Sequence, residues 1–336
     1  MNLDTPITSH VNTLKKALAQ ISADILTEGD FHEKLAPAVN EYSNLMFSLT
    51  DVNAEQPEGL PDIHTGHGRA IGVFKAAFCI NEPIRVQRFC RGLHKAVSDK
   101  LKLNPGRPVH VIYAGTGPFA ALAIPVIMQF SPSQLQFTLL EINSVSYSIL
   151  QKVLKELELT AYVKRFELCN AITWKVPDEA IDIVISETMN YALLKEPQIN
   201  IMLNMISQLG DRVTYIPQNI SVQLAIDRGR DSLMPIGDLY NFNIETYQKI
   251  IAQSAGQPKW LFDTTTLNYQ PVAEGRPVYT TSITVYNEDK LTGGDCSLNL
   301  RQPIRPKLPN TASLLQFTYQ DGESPGFIYN IVEKKL

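Results

Sequence analysis

Two carboxylates stand nine positions apart in "SETMNYALLKE", Ser186 to Glu196, directly after the apolar run "IDIVI". Glu187 and Glu196 bracket a stretch that carries Met189, Asn190 and Tyr191. A pair of carboxylates can grip the N–H groups of a planar cation, localise its charge and accept a proton from it. Acids also decorate surface loops, so the pair matters only if neighbouring elements aim both into one pocket. A second cluster, Asp62, His64 and His67 in "DIHTGHG", has a spacing that could ligate a metal. No third group of ligands accompanies it, so it reads as a polar loop, with no metal expected, whose place ahead of Arg85 suits a substrate-facing role.

The elements that position these residues fall into three parts: 1–105, 106–211 and 212–336. In the first, Val11, Leu14, Leu18, Ile21 and Ile25 recur at three and four, which predicts an amphipathic helix in need of a partner surface. Beyond the turn cluster "LNPGRP", the strands "VHVIYAG", "FTLLEI", "RFELC" and "IDIVISE" alternate with helical stretches such as "SYSILQKVLKELEL". That alternation predicts a parallel sheet covered by helices. From "DRVTYIP" onward the pattern turns β-rich, with "ISVQLAI", "VYTTSITVY", "CSLNL" and "SLLQFTY" reading as strands of an appended antiparallel barrel or sandwich.

Composition narrows the function classes. A chain of 336 residues with 44% hydrophobic content can bury a proper core, and its net charge of −4 offers no broad basic face for nucleic acid or an anionic membrane. Four cysteines without CxxC spacing read as reduced thiols, and neither a basic leader nor an eighteen-residue apolar run occurs. A soluble cytoplasmic protein is the expectation.

In an open parallel sheet, ligands bind at the carboxyl ends of the strands. "IYAGTGPFA" places Tyr113, Ala114, Gly115, Thr116 and Gly117 at such an end, where glycines let the backbone approach a ligand closely. The next strand ends in Glu141, an acid suited to accept hydrogen bonds from both hydroxyls of a ribose. Together they point to a bound nucleoside. The third glycine of the dinucleotide fingerprint is missing, since Pro118, Phe119 and Ala120 follow Gly117.

The AxGxGP form resembles the first motif of class I S-adenosylmethionine methyltransferases. "SETMNYALLKE" resembles the double-E loop of the protein arginine methyltransferases, S-E-x-M-x-Y-x-L-L-x-E, in register at Ser186, Glu187, Met189, Tyr191, Leu193, Leu194 and Glu196. "LLEIN" is similar to the family's ribose-binding segment, and "DRVTYIP" to the strand leading into its β-barrel. "EPIRVQRF" puts Glu82, Arg85 and Phe89 at the spacing of a segment whose arginine pairs with the cofactor's carboxylate. The resemblance covers roughly residues 70–336 and is densest over 109–217.

The resemblance implies an α/β fold: a Rossmann-like class I methyltransferase sheet with an N-terminal helical region and a C-terminal β-barrel-like domain. It implies S-adenosyl-L-methionine as cofactor, held by Arg85, Tyr113–Gly117, Glu141, Asn170 and Ala171, and an acceptor held by Glu187 and Glu196 beside Met189 and Tyr191. It also implies a homodimer, because "RGRDSLMPIGDLYNFNIETYQ" occupies the place of the family's dimerisation arm. Two departures stand out. Ala171 replaces the acid that meets the adenine amine, with Asn170 beside it as a substitute acceptor, and no Thr-His-Trp segment completes a peptide-arginine pocket. The leading expectation is therefore N-methylation of a small guanidine or amine, such as free arginine. Arginine in a peptide, aminocarboxypropyl transfer of the nicotianamine-synthase type, whose "GSGPLP" turn resembles "GTGPFA", and a non-catalytic cofactor-binding scaffold are the alternatives.

Overall fold

The computed structural model describes residues 5–53, 61–229 and 232–332, with side chains from residue 12 onward. Helix α1 (Thr5–Leu26) buries Leu18, Ile21 and Ile25 and half-buries Leu14, while the side chain of Val11 lies outside the described residues. The partner surface that this stripe requires comes from α2 (Ala36–Ser48), α4 (Pro83–Leu103) and the short α5 (Ile124–Ile127). Between α2 and α4 lie a small hairpin, Ile63–His64 against Arg69–Ala70, and helix α3 (Val73–Phe78). Helix α4 starts on Pro83, whose fixed φ suits a first turn, and buries Arg85 and Phe89.

Five parallel strands form the central sheet: β1 (Val109–Ala114), β2 (Leu135–Glu141), β3 (Val163–Leu168), β4 (Ile183–Ser186) and β5 (Thr214–Ile216). Their spatial order is β3-β2-β1-β4-β5, so the winding reverses between β1 and β4. Every residue of β1 and β4 is buried, as strands covered on both faces require. Ala114 and Ser186 pair across that reversal, so the glycine turn and the acid loop leave the sheet side by side, where ligands bind in folds of this kind. Helices α6 (Ser144–Glu156) and α7 (Gln198–Leu209) complete the layer, α6 capped by the Asn143 side chain on the N–H groups of Val145 and Ser146.

The C-terminal part is antiparallel. Strands β6 (Asn219–Asp227), β7 (Leu233–Asn243), β9 (Arg276–Tyr286) and β10 (Asp289–Leu291) pair in the order β10-β9-β6-β7, with Gln302–Pro303 added beside β9. A second sheet orders β8 (Thr264–Tyr269), β11 (Ser313–Gln320) and β12 (Gly326–Val332) as β8-β11-β12. Aromatic rings bridge the two sheets: Phe242 meets Tyr319 at 5.3 Å and Tyr240 meets Phe327 at 6.5 Å between centroids. The expected α/β fold with a separate antiparallel domain is therefore present.

Three local expectations change. "CSLNL" is not a strand: Ser297–Asn299 form a 3₁₀ turn, because Asn299 donates to the Thr281 and Leu291 carbonyls and Ser297 to Glu82 instead of a ladder partner. The apolar helix after β1 shrinks to the single turn of α5. The segment expected to form an arm folds onto its own sheet as β7 and continues into α8 (Ile244–Gln253), with Leu239, Tyr240 and Phe242 buried; Arg230 and Asp231 lie outside the described residues.

Candidate active site

Gly115 shows why the turn after β1 takes no side chain. Its φ is +78°, and an added Cβ would lie 2.2 Å from Thr188 Cγ2 in the loop after β4. Two residues on, the Gly117 N–H donates to Glu141 Oε2 at 2.8 Å, the Asn143 N–H to Oε1 at 2.8 Å, and the Thr116 hydroxyl lies 3.4 Å from Oε2. Burial pushes the Glu141 pKa up while these donors pull it down. A carboxylate has about four acceptor positions, so lone pairs remain for further donors.

The loop carrying the two acids returns through backbone that residues other than glycine seldom adopt. Ala192, Leu193 and Lys195 have φ of 52°, 56° and 69°. Such conformations cost about 1–3 kcal/mol each and persist only where surroundings over-determine them. Here the Ala192 N–H donates to Thr281 Oγ1 at 2.9 Å, Tyr319 Oη donates to the Leu193 carbonyl at 3.2 Å, and the Lys195 N–H donates to the Pro325 carbonyl at 3.0 Å. At the other end, fully buried Gln198 accepts from the Thr188 N–H at 2.9 Å and donates to the Ser186 carbonyl at 3.2 Å. Two elements of the sheet domain, together with Thr281 inside β9, Tyr319 near the end of β11 and Pro325 in the loop before β12, thus bring Glu196 back beside Glu187.

Both acids line a single cavity of about 220 Å³. Its wall holds Gly115, Thr116, Gly117, Glu141, Asn170 and Ala171, together with Glu196 and the segment carrying Thr65, Arg69, Ile71 and Cys79. Arg85 also lines it, pairing through Nη1 with Glu82 at 2.8 Å and through Nη2 with Glu187. Glu82 is itself fixed by the Ser297 N–H at 2.7 Å. Glu187 Oε1 is buried and accepts no hydrogen bond of ordinary geometry, although the nearby Met189 N–H favours the charged carboxylate, so acceptor capacity remains on it. Burial raises the Glu187 pKa despite Arg85, and Arg85 is held well above its usual range by the acids around it. Glu196 is pushed up to about 7, chiefly by burial and then by the neighbouring Glu187, with Arg85 and Arg69 opposing. A carboxylic acid poised near neutrality is what proton transfer at ordinary pH requires.

Of the residues singled out from sequence, Arg85, Tyr113, Gly115, Thr116, Gly117, Glu141, Asn170, Ala171, Glu187, Met189 and Glu196 converge on this cavity. Ala114 stays inside β1, and Tyr191 does not line the wall, since the chain leaves it at Asn190 and re-enters at Glu196. Asn170 Oδ1 accepts from the Ile172 N–H at 3.0 Å, which leaves one acceptor position on that oxygen. In "DIHTGHG" the polar residues divide: Thr65 lines the cavity, Asp62 pairs with Arg69 at 2.7 Å, and His67 Nδ1 lies 2.9 Å from Asp321 Oδ1. Among the described residues, no group of three or more His, Cys, Asp or Glu side chains could hold a metal ion. Sequence reasoning missed Arg69 and Gln198. Neither carries a motif, although the position of the first between a histidine pair and the Arg85 helix was a weak signal.

No protein-family model and no curated protein matches the chain. Solved structures do. A chain of the Trypanosoma brucei PRMT1 enzyme–prozyme heterotetrameric complex with AdoHcy is similar at a TM-score of 0.50 and 12% identity, over 75% of this chain and 90% of that one. Arabidopsis thaliana protein arginine methyltransferase 10 is similar at a TM-score of 0.50 and 11% identity, over 71% of this chain and 85% of that one. At such identities the likeness lies in architecture, and the chain has the fold of the protein arginine methyltransferases.

Proposed function

We propose that the protein is an S-adenosyl-L-methionine-dependent N-methyltransferase whose acceptor is a small guanidine or amine. The observation that carries this reading is the convergence of Glu187, with its unpartnered Oε1, and Glu196 on the cavity that also holds the glycine turn and Glu141. The residues fit the cofactor. Glu141 has acceptor capacity that would suit ribose hydroxyls, small Ala171 beside Asn170 would leave room for adenine, and the Arg85 guanidinium would pair with the cofactor's carboxylate. When bound, the cofactor supplies an electrophilic methyl on a sulfonium.

The protein's part is to hold a nitrogen in line with that methyl and exclude water. Glu187 and Glu196 grip N–H groups of the acceptor, which draws cationic charge toward themselves and frees a lone pair on the reacting nitrogen. The methyl–nitrogen bond would form as the sulfur–methyl bond breaks and S-adenosylhomocysteine leaves as the neutral thioether, and a carboxylate oxygen of Glu196 would take the proton that the nitrogen loses. The sequence carries no Thr-His-Trp segment to complete a peptide-arginine pocket, which supports a small molecule over a peptide strand.

Calorimetric titration with S-adenosyl-L-methionine and S-adenosylhomocysteine, followed by incubation with labelled cofactor and a panel of guanidines, amines and arginine-rich peptide, tests the reading. Binding with label on a small guanidine is the expected result. Label on peptide alone moves the acceptor class, methylthioadenosine as by-product moves the reaction class, and absence of binding refutes the whole reading.

Ionisation of Glu196 adds a pH signature. Its carboxyl carries a proton below about pH 7 and then cannot grip a cation. In that range kcat/KM for a guanidine should rise about tenfold per pH unit and level off above it, whereas Glu196→Gln should give a low, flat profile. Stability runs the opposite way. The pKa of this acid is raised from 4.5 to about 7 on folding, so its contribution falls as pH rises through that window and is constant above it.

A further inference from the structure

Gln198 does not line the cavity, yet its carboxamide is spent on the two chain neighbours of Glu187. It is the first residue of α7 and fully buried. Nε2 donates to the Ser186 carbonyl at 3.2 Å, while Oε1 accepts from the Thr188 N–H at 2.9 Å and the Thr188 hydroxyl at 3.0 Å, with the Ser186 hydroxyl at 3.4 Å. One side chain therefore holds the residue before the acid and the residue after it. Toward Glu196 the link is short as well: only Pro197 stands between Glu196 and Gln198, and its ring restricts the backbone there. The other route between the acids, residues 188–195, runs through the left-handed turn that the antiparallel domain must hold. Thr188 also carries the methyl that fills the space over Gly115. One buried amide thus joins Glu187, Glu196 and the glycine turn from within the sheet domain.

We infer that Gln198 is a positioning residue, which sets the separation and direction of the Glu187 and Glu196 carboxylates and so aligns the acceptor nitrogen with the methyl. The inference rests on the reading of the two acids as the acceptor clamp. An apolar side chain of similar length would fill the space but leave the Ser186 carbonyl and the Thr188 N–H without this partner, and the start of the loop would turn to find others. Glu187 would turn with it. In-line transfer is sensitive to such shifts, since a misplacement of about 1 Å can cost on the order of 100-fold in rate. Glu141, Asn170 and Ala171 stand at the ends of β2 and β3, so cofactor affinity should be spared.

The test is a double-mutant cycle on the full chain, with Gln198→Met, Thr188→Val and the two combined. Turnover is followed with the guanidine or amine, free arginine among those tried, that takes most label from the cofactor in the wild type, and S-adenosylhomocysteine is titrated into each variant. Gln198→Met should lower kcat about 30- to 100-fold. Thr188→Val, which keeps the methyl over Gly115 and removes the hydroxyl, should lower it about 3- to 10-fold, and the pair no further than Gln198→Met alone. S-adenosylhomocysteine affinity should stay within about threefold throughout, a split between turnover and binding that a general loosening of the fold would not produce. Three results overturn the inference and leave the clamp standing: kcat of Gln198→Met within about threefold of wild type, a parallel loss of kcat and cofactor affinity, or a double variant at the product of the single losses. Should Gln198→Met not fold, Thr188→Val decides alone, and an unchanged kcat refutes the inference. A wild type that labels no guanidine or amine refutes the clamp itself, and this inference falls with it.

Discussion

Glu187→Gln should lower kcat at least about a thousandfold while the dissociation constant for S-adenosylhomocysteine stays within about threefold. The substitution keeps shape and leaves a carbonyl oxygen able to accept from Arg85, so the wall of the cofactor end survives. What disappears is the negative charge behind Oε1, a buried oxygen without a hydrogen-bond partner among the described residues. A neutral amide cannot draw charge off a guanidinium, and its NH₂ would meet the acceptor's N–H groups donor to donor. Rapid-quench turnover and calorimetry on the same preparation separate the two quantities. Activity within tenfold of wild type would remove Glu187 from the mechanism, and a collapse of cofactor affinity would make it a binding residue instead.

Arg85→Ala should weaken S-adenosylhomocysteine by about 100-fold and also destabilise the empty protein by about 3–5 kcal/mol, the usual cost of breaking a buried pair from one side. Arg85 is buried, and its two terminal nitrogens face different acids, Glu82 and Glu187. Without it both acids share a region of low dielectric with no cation between them. Arg85→Lys should restore little, because an ammonium cannot span two carboxylates in the plane of a guanidinium and still reach a third. Urea unfolding in the absence of ligand gives the stability, and titration at matched folded fraction gives the affinity. A variant as stable as wild type would mean that the network around α4 is ornamental, and full rescue by lysine would deny that fork geometry matters.

Much of the cofactor end was legible because it is local. A strand that breaks on glycine, a following strand that ends in an acid, and an apolar run that opens into an acid-bearing loop each declare themselves within ten or so residues, and the sheet does the rest by bringing Ala114 and Ser186 into register. The acceptor end was harder to read. Arg69 and Thr65 reach the cavity from a hairpin more than a hundred positions ahead of Glu187, and only the polar loop "DIHTGHG" in and beside which they stand marks them, weakly. In the antiparallel domain β7 was hidden, since Pro235 and Gly237 interrupt its alternation and the ladder to β6 shifts register twice. "CSLNL" misled for the opposite reason: it has a strand's composition, but its polar side chains bond the backbone of other elements.

The left-handed run that carries the chain back to Glu196 also sets an order of assembly. Its anchors lie 89 residues away at Thr281 and 126 away at Tyr319, whereas the glycine turn and Glu141 are only 24 apart. Contacts of long sequence separation form late, after the loop entropy between them has been met. On the proposed reading, a nascent chain would therefore complete its nucleoside pocket well before Glu196, the proton acceptor of that reading, is in place. Under that reading, an immature molecule that captured the methyl donor would have no paired acids with which to spend it on a stray nucleophile, and reactivity would arrive only with the last strands to dock.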